Sequence, residues 1–132
     1  MKQIFTIVFI FCAFSVSASY LVSKGDSAYV NDDYNNAIRY YNQAIETDGT
    51  SSELYYNLGI VYTMLNDFSS AKTCYEKAAI INTLEYNTNY NIAMIELILG
   101  ELEEAEKYFT KCIEDEELSP MAYYQLAKIY MI

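Results

Sequence analysis

A spacing of 34 residues constrains this chain more than any other feature. Ala37, Ala71 and Ala105 keep that step, and so do Tyr34, Phe68 and Leu102. Tyr41, Tyr75 and Phe109 follow in the same register, then Ala44, Ala78 and Cys112. Upstream, Gly25, Gly59, Ala93 and Ala127 form a fifth series. Repetition at this period means one supersecondary unit that cannot bury its apolar side alone and is stacked on copies of itself.

Within a unit, an apolar residue, Ala three later, an aromatic four further on and a small residue three beyond that trace one side of a helix with a 3.6-residue turn. This predicts a second helix, B, in each unit. The preceding segment, Leu54-Tyr55-Tyr56-Asn57-Leu58-Gly59-Ile60-Val61-Tyr62, puts Tyr55, Leu58, Gly59 and Tyr62 on one side of a first helix, A, with Gly59 admitting a close neighbour. Asp32-Asp33, Asn66-Asp67 and Gly100-Glu101 are short polar turns suited to an antiparallel helix pair. The chain has only four Gly and one Pro, so connections must be short. Seven helices are expected near 19–31, 34–47, 52–65, 68–81, 86–99, 102–115 and 119–132. Thr50-Ser51-Ser52-Glu53 reads as a capping box, and Ser119-Pro120 as an N-cap followed by proline in the first turn.

These residues resemble the tetratricopeptide-repeat (TPR) family, whose signature runs aromatic, Leu-Gly, Tyr, and later Ala, aromatic, Ala. Ser52 to Glu85 carries it most fully, with Tyr55, Leu58, Gly59, Tyr62, Phe68, Ala71, Tyr75 and Ala78. The first unit has Lys24 and Ala28 where Leu and Tyr belong, and the third has Glu96 in place of the Tyr. The resemblance implies an all-α fold, an α-solenoid of TPR helix hairpins with repeats at about 18–51, 52–85 and 86–119 and a half repeat at 120–132. The final A helix then has no B helix, which leaves part of the side bearing Leu126, Ile129 and Tyr130 uncovered. It stands either as a plain cap or as a contact for another protein or a second copy, making a homo-oligomer through the C-terminal helix.

Before the repeats, Met1-Lys2 and the apolar run Ile4 to Phe14 have the layout of a signal peptide, followed by small residues that place cleavage after Ala18. The domains expected are thus a signal peptide at 1–18 and a TPR domain at 19–132, exported to the periplasm or cell envelope, with an uncleaved membrane anchor as the alternative. Bulky Phe9, Ile10 and Phe11 before Cys12 argue against lipidation there. An oxidising compartment would permit a Cys74–Cys112 disulfide, but the register makes Cys112 a buried core residue and turns Cys74 elsewhere.

The formal charge is −10, and cleavage removes Lys2 and no acid. Such a chain repels phosphate backbones and anionic lipid, so neither nucleic acid nor direct membrane binding after cleavage is expected. The acids crowd from Glu101 to Glu117, where the bland reading is a solvated helix face with pairing such as Glu103 to Lys107. With no His, no phosphate loop and no metal-ligand spacing, the chain offers no catalytic constellation, and no cofactor is expected.

The TPR resemblance places a peptide-binding groove along the A helices. Its candidate residues are Val22, Asp26 and Tyr29; Tyr56, Asn57, Ile60 and Thr63; Tyr90, Asn91, Met94 and Leu97; and Tyr124, Gln125 and Lys128. Tyr56, Tyr90 and Tyr124 recur 34 apart, each followed by a carboxamide, Asn57, Asn91 or Gln125. Rings supply apolar contact at low entropic cost and carboxamides pair with peptide backbone, so the ladder suits an extended polypeptide. The other reading is that these rings pack between neighbouring A helices. In the carboxylate clamp of some TPR proteins, Lys and Asn hold a C-terminal carboxylate, whereas Val22, Asp26, Tyr56 and Ile60 occupy those positions here. The expected function is a protein-binding adaptor or scaffold, with a self-assembling structural protein and a small-ligand or glycan binder as alternatives. Gly25-Asp26-Ser27-Ala28-Tyr29 and Tyr55-Tyr56-Asn57-Leu58-Gly59 further resemble the TPR component of bacterial aerotolerance (Bat) operons.

Overall fold

The computed structural model describes residues 17–49, 51–82, 86–114 and 119–131. The apolar run and Cys12 of the expected signal peptide, together with Thr50, Asp115, Glu116 and Glu117, lie outside them. Among the described residues there are seven helices and no strand. They are α1 over 17–30, α2 Tyr34–Asp48, α3 Ser52–Met64, α4 Phe68–Ile81, α5 Tyr86–Leu99, α6 Leu102–Glu114 and α7 Ser119–Tyr130. The all-α solenoid expected from the 34-residue step is the fold observed, with α1, α3, α5 and α7 as A helices and α2, α4 and α6 as B helices.

The three hairpin turns are one turn repeated. Asp32, Asn66 and Gly100 have φ of 58°, 57° and 83°, a left-handed conformation that Gly adopts freely and Asn and Asp tolerate. The next residue's amide reaches back five residues each time. Asp33 donates to the Ala28 carbonyl at 2.9 Å, Asp67 to Tyr62 at 2.9 Å and Glu101 to Glu96 at 2.8 Å. This closes the A helix in the manner of a Schellman motif. The same residue then opens the B helix, since the Asp33 carboxylate accepts from the Asn36 amide and that of Asp67 from Ser70. The cap of α3 is Ser51, which accepts from the Leu54 amide, so the expected Thr50–Glu53 box is displaced by one residue.

Each hairpin closes by laying the B-helix aromatic on the small A-helix residue. A Cβ added to Gly25 would stand 2.5 Å from the Tyr41 ring, and one added to Gly59 2.5 Å from Tyr75. Ala37, Ala71 and Ala105, with Ala44, Ala78 and Cys112, are fully buried around these rings. The side of each A helix turned to the preceding hairpin forms a second seam. Leu54, Leu58 and Val61 are buried on α3, Thr88, Ile92 and Ile95 on α5, and Ala122, Leu126 and Ile129 on α7. The last two series mirror the first at a step of 34, and each fully buried Leu or Ile contributes about 1.5–3 kcal/mol. On α1 the same three positions are Tyr20, Lys24 and Ser27, all exposed.

One departure from the signature finds its physical reason here, and one expectation is corrected. Glu96 is buried at the position of the expected Tyr and forms an ion pair with Lys72 of α4, tying the second unit to the third. Cys74 is not turned away from the core: it is buried beside Ala44, Leu54 and Leu58, in a cluster separate from that of Cys112. The two thiols form no disulfide with one another. Ala18, the expected cleavage point, lies inside α1 and is buried.

Filling the contact under the Tyr75 ring tests its role. Gly59→Val is expected to lower stability by about 1–3 kcal/mol through overpacking, read as a fall in the urea midpoint at unchanged slope. An unaltered midpoint would show that the ring does not need this space.

Candidate functional site

The A-helix face is built on the far tips of the core rings. Tyr41 and Tyr75 are buried to 2% exposure each, and a buried phenol needs a hydrogen-bond partner. The Tyr41 hydroxyl donates to Asp26 Oδ1 at 2.7 Å, while the Tyr75 hydroxyl lies 3.4 Å from Thr63 Oγ1. Burial, reinforced by the Asp26 carboxylate, pushes the Tyr41 phenol well above its ordinary range. Burial pushes Tyr75 up to about 12, with the Thr63 contact acting in the opposite sense. Both hydroxyls therefore stay protonated at neutral pH. In the third unit Phe109 needs no such partner.

Around the Tyr41 tip the structure gathers four of the residues expected in the groove. Asp26 and Tyr29 of α1 and Asn57 and Ile60 of α3 line a cavity of ≈ 200 Å³, which Val30 and Tyr41 complete. Val30 and the tip of Tyr41 are site residues that the sequence reading missed. The signal for Tyr41 was its hydroxyl: a core aromatic that is Tyr rather than Phe must send its oxygen somewhere polar.

Further along, the tyrosine ladder divides. The Tyr56 ring lies 5.7 Å from that of Tyr75, and Tyr90 meets Phe109 edge-on at 5.6 Å. These rungs are half-buried and rest on the core of their own hairpins. Asn91 donates its amide to the Tyr56 hydroxyl at 3.4 Å, which joins the α3 and α5 rungs. Met94 and Leu97 are half-buried against the third hairpin's core, as Val22 is against the first. Tyr124, on the last described helix, is exposed, with the Lys128 ammonium 5.6 Å from its ring centre. Gln125 is half-buried, and its Oε1 has no hydrogen-bond partner among the described groups.

The acidic stretch on α6 lies apart from this face. Glu106 accepts a hydrogen bond from the Tyr130 hydroxyl, and Lys107 pairs with Glu104 at 3.2 Å, one residue from the expected Glu103. Both partners of the latter pair are exposed, so it contributes little. No described helix is long and apolar enough to cross a membrane.

Comparison with known proteins bears on the repeat itself. Tetratricopeptide-repeat family models match residues 18–50, 40–73 and 86–114. The chain is similar to heat shock protein STI1 of Saccharomyces cerevisiae, with 33% identity over 102 residues. That match takes in 76% of this chain but only 17% of STI1. Among solved structures it is similar to the first TPR of Spaghetti (RPAP3), bound to the HSP90 peptide SRMEEVD, at a TM-score of 0.78 and 26% identity. The match covers 89% of this chain and 93% of that one. The type III secretion translocator chaperone SycD of Yersinia enterocolitica has the same fold, with a TM-score of 0.79 and 22% identity over 89% of this chain and 86% of SycD. The turn at 32, 66 and 100 and the ring on its small residue recur at the 34-residue step, and the family models together match more than half of the chain: the chain belongs to the tetratricopeptide-repeat family.

Proposed function

We propose that this protein is a non-catalytic adaptor that holds an extended segment of a partner polypeptide along the face formed by α1, α3, α5 and α7. The observation that carries the reading is the link between successive A helices. A cavity between α1 and α3 is lined by Asp26, Tyr29, Asn57 and Ile60, and Asn91 of α5 bonds Tyr56 of α3, while Tyr124 and Lys128 stand exposed on α7. Such a strip of ring faces with interleaved carboxamides meets the alternating apolar and polar needs of an extended peptide. The RPAP3 domain was solved with a peptide bound, and SycD is a translocator chaperone, which supports the same class of role here. A cavity of ≈ 200 Å³ is below the about 300–1,000 Å³ usual for small-molecule sites. It therefore favours a side chain of a larger partner over a free ligand or glycan.

The test compares intact protein with a Tyr56/Tyr90/Tyr124→Ala variant in capture of partners from the cell-envelope fraction. Because Tyr56 and Tyr90 rest on core rings, the single Tyr124→Ala variant, whose ring is exposed, is run beside it. Truncating such rings costs on the order of 1 kcal/mol or more each, so the triple variant should lose at least tenfold in partner recovered. Undiminished capture by folded variants would remove the reading.

The proposal sets the adaptor in the cell envelope, on the strength of the charged start, the apolar run to Phe14 and the small residues before Ser19. The likeness to the aerotolerance-operon TPR component belongs to this same proposal. Mass spectrometry of the protein from its own cells should find a chain beginning at Ser19. A chain retaining Met1 in a soluble cytosolic fraction would sink the export reading.

One observation favours a second reading, self-assembly through α7. Tyr123, Ala127 and Tyr130 are exposed on the side that takes a B helix in the other three hairpins. Sedimentation over a concentration series would show association that Ala127→Glu abolishes; a protein that stays monomeric throughout excludes it.

A further inference from the structure

The cavity between α1 and α3 has a chemistry of its own. Its lining contains one carboxylate, Asp26, two phenol rings, Tyr29 and Tyr41, two aliphatic side chains, Val30 and Ile60, and the Asn57 carboxamide. No cation is among them. Asp26 is exposed, and one of its oxygens accepts from the Tyr41 hydroxyl at 2.7 Å. A carboxylate offers about four lone-pair sites on two oxygens, so this bond leaves acceptor capacity facing the opening. The Tyr41 bond also fixes the carboxylate's orientation, because the ring that donates it is clamped on Gly25. We propose that this cavity is an anchor pocket for a lysine or arginine side chain of the partner peptide, with Asp26 as its counter-ion. The proposal rests on the peptide-binding reading of the A-helix face and specifies its selectivity.

Three physical arguments converge on a cation. The aliphatic walls accept the methylene stem of Lys or Arg, which buries along apolar surface while its head seeks a polar partner. The half-buried Tyr29 ring beside the pocket can attract a cation through its quadrupole, and more strongly as the cation is desolvated. The whole chain carries a formal charge of −10, and its field draws basic segments in and holds acidic ones off. The contrast with the RPAP3 domain is one of sign, since the peptide bound there, SRMEEVD, ends in acids. In this protein the only cation among the groove residues is Lys128 on α7, at the opposite end of the array, where it lies over the Tyr124 ring. An acidic peptide end at the α1–α3 pocket would meet Asp26 with no compensating charge among the lining residues.

The experiment measures binding of four fluorescent decapeptide pools, degenerate over uncharged residues except for a central position fixed as Lys, Arg, Leu or Glu, with SRMEEVD, which carries one Arg ahead of its acidic end, as a further probe. The Lys and Arg pools should bind about tenfold or more tightly than the Glu pool, as a charge-assisted hydrogen bond implies. That preference should weaken as salt is raised. Asp26→Asn keeps an acceptor for the Tyr41 hydroxyl and should erase most of the preference while leaving the Leu pool unchanged. Asp26→Lys should shift the preference toward the Glu pool, with helical circular dichroism confirming that both variants fold. If all pools bind the native protein equally, or if Asp26→Asn keeps the Lys and Arg preference, the anchor is wrong while the peptide groove stands. If no pool binds and SRMEEVD does not either, the groove reading falls with it. Tight binding of SRMEEVD that Asp26→Lys leaves unchanged would also overturn the anchor.

Discussion

The contact between the B-helix ring and the small A-helix residue is the constraint on which the rest depends. A Cβ at Gly25 or Gly59 would collide with Tyr41 or Tyr75, so the glycine sets how closely the two helices of a hairpin approach. A helical glycine costs about 1 kcal/mol against alanine, and the ring that fills the space offsets this through its buried area. The third unit solves the same problem with Ala93 and Phe109, both fully buried. Because the ring crosses the hairpin, its para position emerges near the A-helix face. The hydroxyls of Tyr41 and Tyr75 thus reach Asp26 and Thr63. One packing choice fixes both the hairpin and the polar floor of the candidate site.

The second constraint is the seam between hairpins, and it explains how the two ends differ. Leu54, Leu58 and Val61 pack on the first hairpin, and their counterparts in α5 and α7 pack on the second and third. In α1 these positions are Tyr20, Lys24 and Ser27, all exposed. At α7 the seam is complete but the side that would take a B helix is bare. Leu126 and Ile129 are buried, whereas Tyr123, Ala127 and Tyr130 are exposed. The uncovered part anticipated for this helix is thus narrower than the sequence suggested. Glu96 breaks the signature at the same interface and is paired with the partly exposed Lys72, whose removal would strand the buried carboxylate.

Legibility of the candidate site followed how local its determinants are. Helical periodicity puts Asp26, Asn57, Ile60 and Tyr124 on one side of their A helices; the structure brings the first three together around one cavity and leaves Tyr124 exposed. That Tyr56 and Tyr90 lean on Tyr75 and Phe109 could not be read from the ladder, because identical spacing is compatible with free or packed rings. Val30 keeps the 34-residue step with Met64 and Ile98, but all three stand exposed at the end of an A helix, and only the packing of α1 against α3 makes Val30 a wall of the cavity. Cys74 was misjudged for a related reason: a helix B in a solenoid has two packed sides, its own hairpin and the next, and the signature marks only the first.

Local periodicity in the sequence carries the seven helices to within a few residues, the three short polar turns between the helices of each pair, and the small residue on helix A that admits a close neighbour. These repeat because the same local chemistry recurs every 34 residues, and each instance confirms the others. Only the tertiary structure decided the Asp26–Tyr41 bond, the cavity between α1 and α3, the Lys72–Glu96 pair and the bare stripe of α7. Each depends on how far one helix is rotated and shifted against another. Packing across the whole interface sets that geometry, and no single residue's place in the period encodes it.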